Sequence, residues 1–397
     1  MRLVHLADIH LGYRQFQRLT PAGINQREAD VAASFTRAID RVIALAPDMV
    51  LFAGDFFHQV RPANPAILHA FTQMARLVRA IPDASIIMVA GNHDTPRSRD
   101  TVCILRLFSQ LGIHVVDTEP KQLRFEDKGV TVLCVPDAPQ LGIDLTPDPA
   151  ARYNVLLAHA EVRGLFPEIE GRERSTLKIE RADIANPQWD YVALGHYHVY
   201  RKMAERAWYC GAIEYASPDP WGERREEIEE RIPGKGKGLI EFDLGTHSHV
   251  FHPLPVSREY IDLDAIEGTG LGATELDLRI AAVVEKCKGG IDSKVVRLML
   301  RNVPRHVARD LDHRALREFR RRALHFHLDV RPPEITRTSA GAPGRAVTLA
   351  ALLGDRLRTR PLDTDLDRAH FVELGMEYLA RVDGEAPLVL DDGASTP

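Results

Sequence analysis

Five apolar runs in this 397-residue chain each stop on a carboxylate, an imidazole or an amide. Val4-His-Leu-Ala7 leads into Asp8-Ile9-His10, and Met49 to Ala53 leads into Gly54-Asp55. Ile86 to Ala90 leads into Gly91-Asn92-His93-Asp94. Val155 to Ala158 ends on His159, and Tyr191 to Leu194 on Gly195-His196-Tyr197-His198. Short apolar runs bounded in this way read as buried strands. In an open α/β sheet the carboxyl ends of the strands are where chemistry is carried. One strand-ending Asp means little, because Asp is a common turn former. Five such endings in order constrain the chain to a fold that delivers all of them to one edge.

The residue types narrow the chemistry. Imidazole and carboxylate suit manganese, iron or zinc, and no thiolate is among them. In the irregular turn after a strand, the pairs Asp8-x-His10 and His196-x-His198 can converge on one ion or straddle two. With Asn92 added, the donors are too many for one ion and enough for two. Asp55, central in the series, is the natural bridge. Two metals about 3.5–4 Å apart are suited to in-line displacement at phosphorus, since they activate a water and neutralise the phosphoryl oxygens. Each residue alone could be an unrelated turn or surface residue, but five ordered matches leave that reading little room.

The set Asp8-x-His10, Gly54-Asp55, Gly91-Asn92-His93-Asp94, His159 and Gly195-His196-x-His198 resembles the calcineurin-like metallophosphoesterases. Asp55-Phe-Phe-His58, Asn92-His-Asp-Thr-Pro96, Asp190-Tyr-Val-Ala-Leu-Gly-His-Tyr-His198, Tyr209-Cys-Gly-Ala-Ile-Glu214 and Lys237-Gly-Leu-Ile-Glu-Phe242 are most similar to SbcD-type nuclease subunits of the bacterial SbcC–SbcD complex. The resemblance is strong over residues 1–260 and only in outline beyond. It implies an α/β fold, a four-layer α-β-β-α sandwich with a smaller α+β capping domain and C-terminal helices. It implies Asp8, His10, Asp55 and His198 on one ion and Asp55, Asn92, His159 and His196 on the other, most readily Mn2+. The implied activity is manganese-dependent cleavage of DNA, both 3′→5′ double-strand exonuclease and endonuclease, in double-strand-break repair. The implied partners are DNA, a second copy of the chain, and an SbcC-type coiled-coil ATPase; no Walker A glycine run is present, so ATP hydrolysis falls to that partner. Two departures stand out: Ala212 where the family often has serine, and the run Ser217-Pro-Asp-Pro-Trp221.

Two further residues have roles to weigh. His93, beside a candidate ligand, reads as a general acid or electrostatic partner for the phosphate, with Asp94 orienting it; the plainer reading is a structural histidine bonded to Asp94. His58 contacts substrate in the implied pattern, or is an exposed loop histidine without a task.

Periodicity predicts a crossover helix starting near Gln26 through Val31, Phe35, Ala38, Ile39 and Val42, and a second from Pro65 to Ile81. Another helix is expected over 98–111. Alternation of strand and helix indicates parallel pairing, and short strands from Leu123 suggest a second sheet. Residues 163–188 read as an excursion capping or flanking the site, and Glu223 to Arg231 as a solvated loop or helix tip. The divisions expected are 1–256, a metallophosphoesterase domain; 257–335, the α+β cap; and 336–397, a linker at Ser339 to Gly344, two docking helices and a disordered tail. Two short amphipathic helices cannot bury both faces on each other, which is why an external groove is expected for them.

A formal charge of −5 gives no global nucleic-acid signature, so DNA contact would rest on local patches. The arginines from Arg297 to Arg322 are such a patch, or else a solvated surface offset by Asp310, Asp312 and Glu318. The four cysteines form no CxxC pair, which disfavours a disulfide framework or zinc ribbon. The first motif lies close to the initiator Met and no apolar run is long enough to span a bilayer. A cytoplasmic protein without membrane association is expected. An enzyme for small phosphoesters or cyclic nucleotides is the alternative activity, and a non-catalytic scaffold a third; the residues after 257 weigh against the first and the complete donor set against the second.

Overall fold

The computed structural model describes residues 1–96, 98, 101–138, 143–164, 175–230, 236–333, 349–360 and 367–384. The chain divides into two compact units, Met1–Pro333 and Glu334–Pro397. The expected linker at 339–344 and most of the expected tail lie outside the described residues.

The first unit begins with β1 (Arg2–Leu6), β2 (Met49–Ala53), β3 (Ser85–Val89) and β4 (His114–Val116). There follow β5 (Lys121–Phe125), β6 (Val130–Val135) and β7 (Tyr153–His159), then the short β8 (Glu161–Val162) and β9 (Lys178–Ile179). The last strands of the two main sheets are β10 (Tyr191–Gly195), β11 (Arg201–Ala204), β12 (Ala207–Tyr209), β13 (Gly238–Asp243) and β14 (Ser248–Pro253). One six-stranded sheet runs β14-β13-β1-β2-β3-β4 and the other β11-β12-β10-β7-β6-β5. The pairs β1–β2, β2–β3, β6–β7 and β7–β10 are parallel, so the strands that end in metal-type donors point the same way within each sheet.

Period-two alternation sorts the side chains between layers. Leu3, Met49, Leu51 and Ile87 pack with Val132, Val155, Leu157 and Tyr191 to form the core between the sheets. Val4, Leu6, Val50 and Phe52 face the other way, onto α1 (Gln26–Leu45) and α2 (Asn64–Ala80) through Val31, Phe35, Ala70 and Met74. The Asn25 side chain accepts the Arg27 N–H at 3.0 Å and starts α1, a cap worth about 1 kcal/mol. The outer face of the second sheet is covered by Leu177, Ile179, Ile184 and Trp189. This is the α-β-β-α arrangement; among the described residues the helix of the fourth layer is the short Arg181–Ile184. The expected helix over 98–111 is a 3-10 helix, Ile104–Leu111.

The three parallel strands Tyr260–Glu267, Val295–Arg301 and His325–Val330 form a separate sheet. Helices Ala273–Glu285 and His313–Arg322 close its own apolar core through Leu276, Ile280 and Leu316. This layer is joined to the main sheets by polar as well as apolar contacts. The Arg258 Nε is 3.1 Å from both Asp30 carboxylate oxygens, and the Phe16 ring stacks on His325 at 4.0 Å.

In the second unit, helices Leu349–Thr359 and Arg368–Gly384 lie against one another. A Cβ on Gly375 would meet the tip of the Leu357 side chain, so the missing side chain eases this approach. Arg368 Nη1 donates to the carbonyls of Arg358 at 2.6 Å and Arg360 at 2.9 Å, satisfying the end of the preceding helix.

Candidate metal centre

Backbone torsions bring the strand ends together. Asp8, His10, Asp55 and His196 all have positive φ (51°, 52°, 49° and 107°), a region that costs non-glycine residues roughly 1–3 kcal/mol each. Hydrogen bonds between the first two turns hold them there. The Asp8 N–H donates to the Gly54 carbonyl at 3.1 Å, the His10 N–H to Asp55 at 2.9 Å and the Leu11 N–H to Phe56 at 3.0 Å. The Asp8 carboxylate also accepts the His196 N–H at 2.9 Å, linking the two sheets.

Asp8, His10 and His198 each offer one donor atom within 4.8 Å of the others, and so do Asp8, Asp55 and His159. His10 Nε2 and His198 Nε2 approach to 3.0 Å. On the other side, Asn92 Oδ1 is 3.0 Å from His159 Nε2 and 3.2 Å from His196 Nδ1. Asp55 stands between the two groups: its Oδ2 is 3.7 Å from His10 Nε2 and 3.5 Å from His159 Nε2, while Oδ1 accepts the His93 N–H at 2.9 Å. All seven donors expected from the sequence are thus in one place.

The ring tautomers of His159 and His198 fit cation binding. His159 Nδ1 donates to the Ala53 carbonyl at 2.9 Å, leaving its Nε2 lone pair toward Asn92 and Asp55. His198 Nδ1 lies 3.1 Å from Glu223 Oε1, which turns its Nε2 toward His10. His196 is set differently, with Nε2 accepting from the Ser175 N–H at 3.3 Å; a cation at its Nδ1 requires the proton to move to Nε2 and that long contact to yield. Burial alone also works against these groups. It raises the Asp8 carboxyl to about 6, with the Asp55 charge adding to the effect against the nearby imidazoles. Burial, reinforced by His159, lowers His196 to about 3. Against burial, the Asp55 and Asp8 charges hold His159 above the usual imidazole range and Glu223 does the same for His198. Crowded carboxylates and imidazoles of this kind are the donor chemistry that a pair of divalent cations takes up.

His93 and Asp94 part company. The Asp94 carboxylate accepts backbone N–H groups from Phe56 (3.0 Å), Phe57 (2.9 Å) and Gly91 (3.1 Å). It therefore holds two turns in place and does not orient the His93 ring as expected. The His93 ring is oriented by the His58 carbonyl, 2.8 Å from Nδ1, and is stacked on the His58 ring at 5.1 Å. His93 Nε2 then faces the centre, 4.0 Å from Asp55 Oδ2. His58 and His93 line a cleft of about 1170 Å³ together with Arg61, Asn92 and Arg106.

The charged run after Pro220 corrects another expectation. Glu223 and Glu227 are buried, on the helix Pro220–Glu229, and meet the fully buried Lys237 at 2.6 and 3.1 Å. The sequence carried a signal for this: Asp219-Pro220 is an N-cap and N1 pair, and glutamates four apart share a helix face. Arg231 to Gly234 lie outside the described residues. The excursion after Arg163 does flank the centre where it is described, since Thr176 hydrogen-bonds to Asp137 beside Ser175 and His196.

A pair of six-stranded sheets with histidines and aspartates gathered at their carboxyl ends defines a metal-dependent phosphoester hydrolase. The family model for calcineurin-like phosphoesterases matches residues 1–200, and the chain belongs to that family. Among curated proteins it is similar to DNA double-strand break repair protein Mre11 from Sulfolobus acidocaldarius, 27% identical over 73% of this chain and 72% of that one. The protein of the same name from Methanopyrus kandleri is 28% identical over 62% of this chain and 55% of its own length. That from Methanocaldococcus jannaschii is 26% identical over 61% and 63%.

Proposed function

We propose that this chain is a two-metal DNA nuclease of the SbcD type, acting on double-strand ends as a 3′→5′ exonuclease and as an endonuclease. The observation that carries the reading is the position of Asp55 Oδ2 between the two donor groups. In it Asp8, His10, Asp55 and His198 hold one cation, and Asp55, Asn92, His159 and His196 the other, with manganese as the metal. When bound, such ions supply a nucleophile at neutral pH and charge stabilisation of the phosphoryl oxygens. The chain's own residues do the rest. Asp94 fixes the turns carrying Asp55 and His93; His93, with Nδ1 engaged by a carbonyl, presents Nε2 to protonate the leaving oxygen. His58 walls the cleft and meets the substrate backbone.

DNA as the substrate is supported by the names of the relatives and by surface charge. On the helix His313–Arg322, Arg321 is paired with Glu318 and Arg322 with Asp292. Arg314, Arg317 and Arg320 are exposed and carry no ion pair among the described residues. Reversing the charge of these three should lower the magnitude of the slope of log affinity against log salt by about 2–3 for duplex DNA, given roughly 0.9 per phosphate contact. An unchanged slope, measured by fluorescence anisotropy, would assign them to a solvated surface.

The partners in this reading are a second copy of the chain and an SbcC-type coiled-coil ATPase, docked through the terminal helices. Leu374 and Tyr378, four apart on one face, are 43% and 61% exposed. Among the described residues no helix is long and apolar enough to cross a membrane, and the reading places the protein in the cytoplasm.

The test is hydrolysis of 3′- and 5′-labelled duplexes, with and without manganese, beside a generic aryl phosphodiester. Manganese-dependent shortening of the duplex is expected. Cleavage of the aryl ester alone would favour a small-phosphoester enzyme. Within the site, His93→Ala should retain metal while turnover falls at least about 100-fold, the lower range for lost acid–base help; near-normal turnover removes His93 from the mechanism.

A further inference from the structure

Behind the centre lies a buried ionic group that the proposed chemistry does not itself use. Lys237 is completely buried, and its Nζ is 2.6 Å from Glu223 Oε2, 3.1 Å from Glu227 Oε1 and 3.0 Å from the His198 carbonyl oxygen. Glu227 accepts the Tyr215 hydroxyl, and the Lys237 ammonium lies 4.6 Å from the centre of the Tyr215 ring. Glu223 Oε1 reaches His198 Nδ1 at 3.1 Å. A buried cation with two carboxylates is a poor source of stability, because desolvation takes back most of the attraction and apolar side chains of the same volume do as well. What this arrangement does accomplish is to hold one residue at both ends. Lys237 grips the main chain of His198 directly and its ring through Glu223.

We propose that Glu223 and Lys237 are positioning residues that fix the Nδ1–H tautomer of His198 and aim its Nε2 at the cation shared with Asp8 and His10. The proposal rests on the reading of His198 as a metal donor. A carboxylate accepting the far N–H of a ligating imidazole sets ring orientation and raises basicity, and loss of such a partner typically weakens metal binding 10- to 100-fold. Glu223 cannot swing away, since its other oxygen is held by Lys237. Lys237 in turn is held by Glu227, on the next turn of the same helix. Among the described residues no carboxylate hydrogen-bonds His159 in this way; its Nδ1 is engaged by the Ala53 carbonyl, with Asp8 Oδ1 3.9 Å away. The two cation positions are therefore tuned differently, and the one on the His198 side depends on the helix Pro220–Glu229.

The experiment is manganese titration of the full chain by calorimetry, comparing wild type with the double variant Glu223→Gln/Lys237→Met. The double change removes the carboxylate without stranding a buried ammonium, and circular dichroism reports folding. The wild type should bind two ions. In the variant one site should weaken about 10- to 100-fold and the other stay within about threefold. Two unchanged sites, or equal weakening of both, overturns the positioning role while leaving the two-metal reading standing. A wild type that binds fewer than two ions sinks both. Should the variant not fold, histidine 15N spectra of the metal-free wild type decide the matter, because an Nε2–H tautomer at His198 contradicts the proposal and an Nδ1–H tautomer upholds it.

Discussion

Asp55→Asn is expected to bind at most one manganese ion and to lose at least about 1000-fold in phosphodiester turnover. The substitution is chosen to spare the fold. Asn tolerates the positive φ of 49° at this position, and its amide oxygen can still accept the His93 N–H now bonded to Oδ1 at 2.9 Å. What disappears is the negative charge of the oxygen lying 3.7 Å from His10 Nε2 and 3.5 Å from His159 Nε2. The side chain is only 2% exposed, so bulk solvent screens that loss weakly. Each proposed cation position then loses the anion it shares with the other, and like charges face one another without a screen. Metal ions in such sites contribute several kcal/mol of transition-state stabilisation, and each 1.36 kcal/mol is a factor of ten in rate. Metal content by mass spectrometry, measured beside the rate, checks both parts. Two ions retained at wild-type affinity would falsify the bridging role.

Gly195→Ala should destabilise the protein by about 3 kcal/mol, at the upper end of overpacking costs, and impair metal binding with it. Gly195 ends β10 of one sheet, and a Cβ there would overlap the carbonyl oxygen of Ala53, which ends β2 of the other. The obstacle is main chain, which cannot rotate aside like a side chain. The same carbonyl is the hydrogen-bond acceptor that fixes the His159 ring, so pushing the sheets apart also releases a donor. Denaturant unfolding would show the lowered midpoint, and the metal titration would show the second effect. Wild-type stability would mean that the close approach of the sheets is not maintained in solution. Gly91 is in a similar position, since a Cβ there would strike the Asp55 carboxylate. Both glycines belong to the motif for steric reasons.

The elements of the fold were largely legible because their signals are local. The α1 stripe of Val31, Phe35, Ala38, Ile39 and Val42 is buried as its spacing requires, and the central strands β1, β2, β3, β6, β7 and β10 follow largely apolar runs that stop on Asp, Gly, Pro or His. Helix type was less legible. The helix expected over 98–111 is, among the described residues, a 3-10 helix over Ile104–Leu111, a distinction that depends on how the backbone packs and not on which residues are apolar. The charged run from Glu223 failed for a different reason. Local composition cannot reveal that a lysine later in the chain will be buried against it, and mixed-charge runs are solvated faces in most proteins.

The sequence by itself determined the membership of the candidate site: which residues end the strands, and that carboxylate, imidazole and amide donors outnumber the needs of one ion. Residue type carries donor chemistry, and order along parallel strands carries the common edge. Only the tertiary structure decided how those groups are aimed. It put Asp55 between two donor groups, gave Asp94 three backbone N–H groups to hold in place of the His93 ring, and set Glu223 and Lys237 behind His198. These are matters of hydrogen-bond direction across residues far apart in the chain, fixed when the two sheets close on each other, and no local pattern records them.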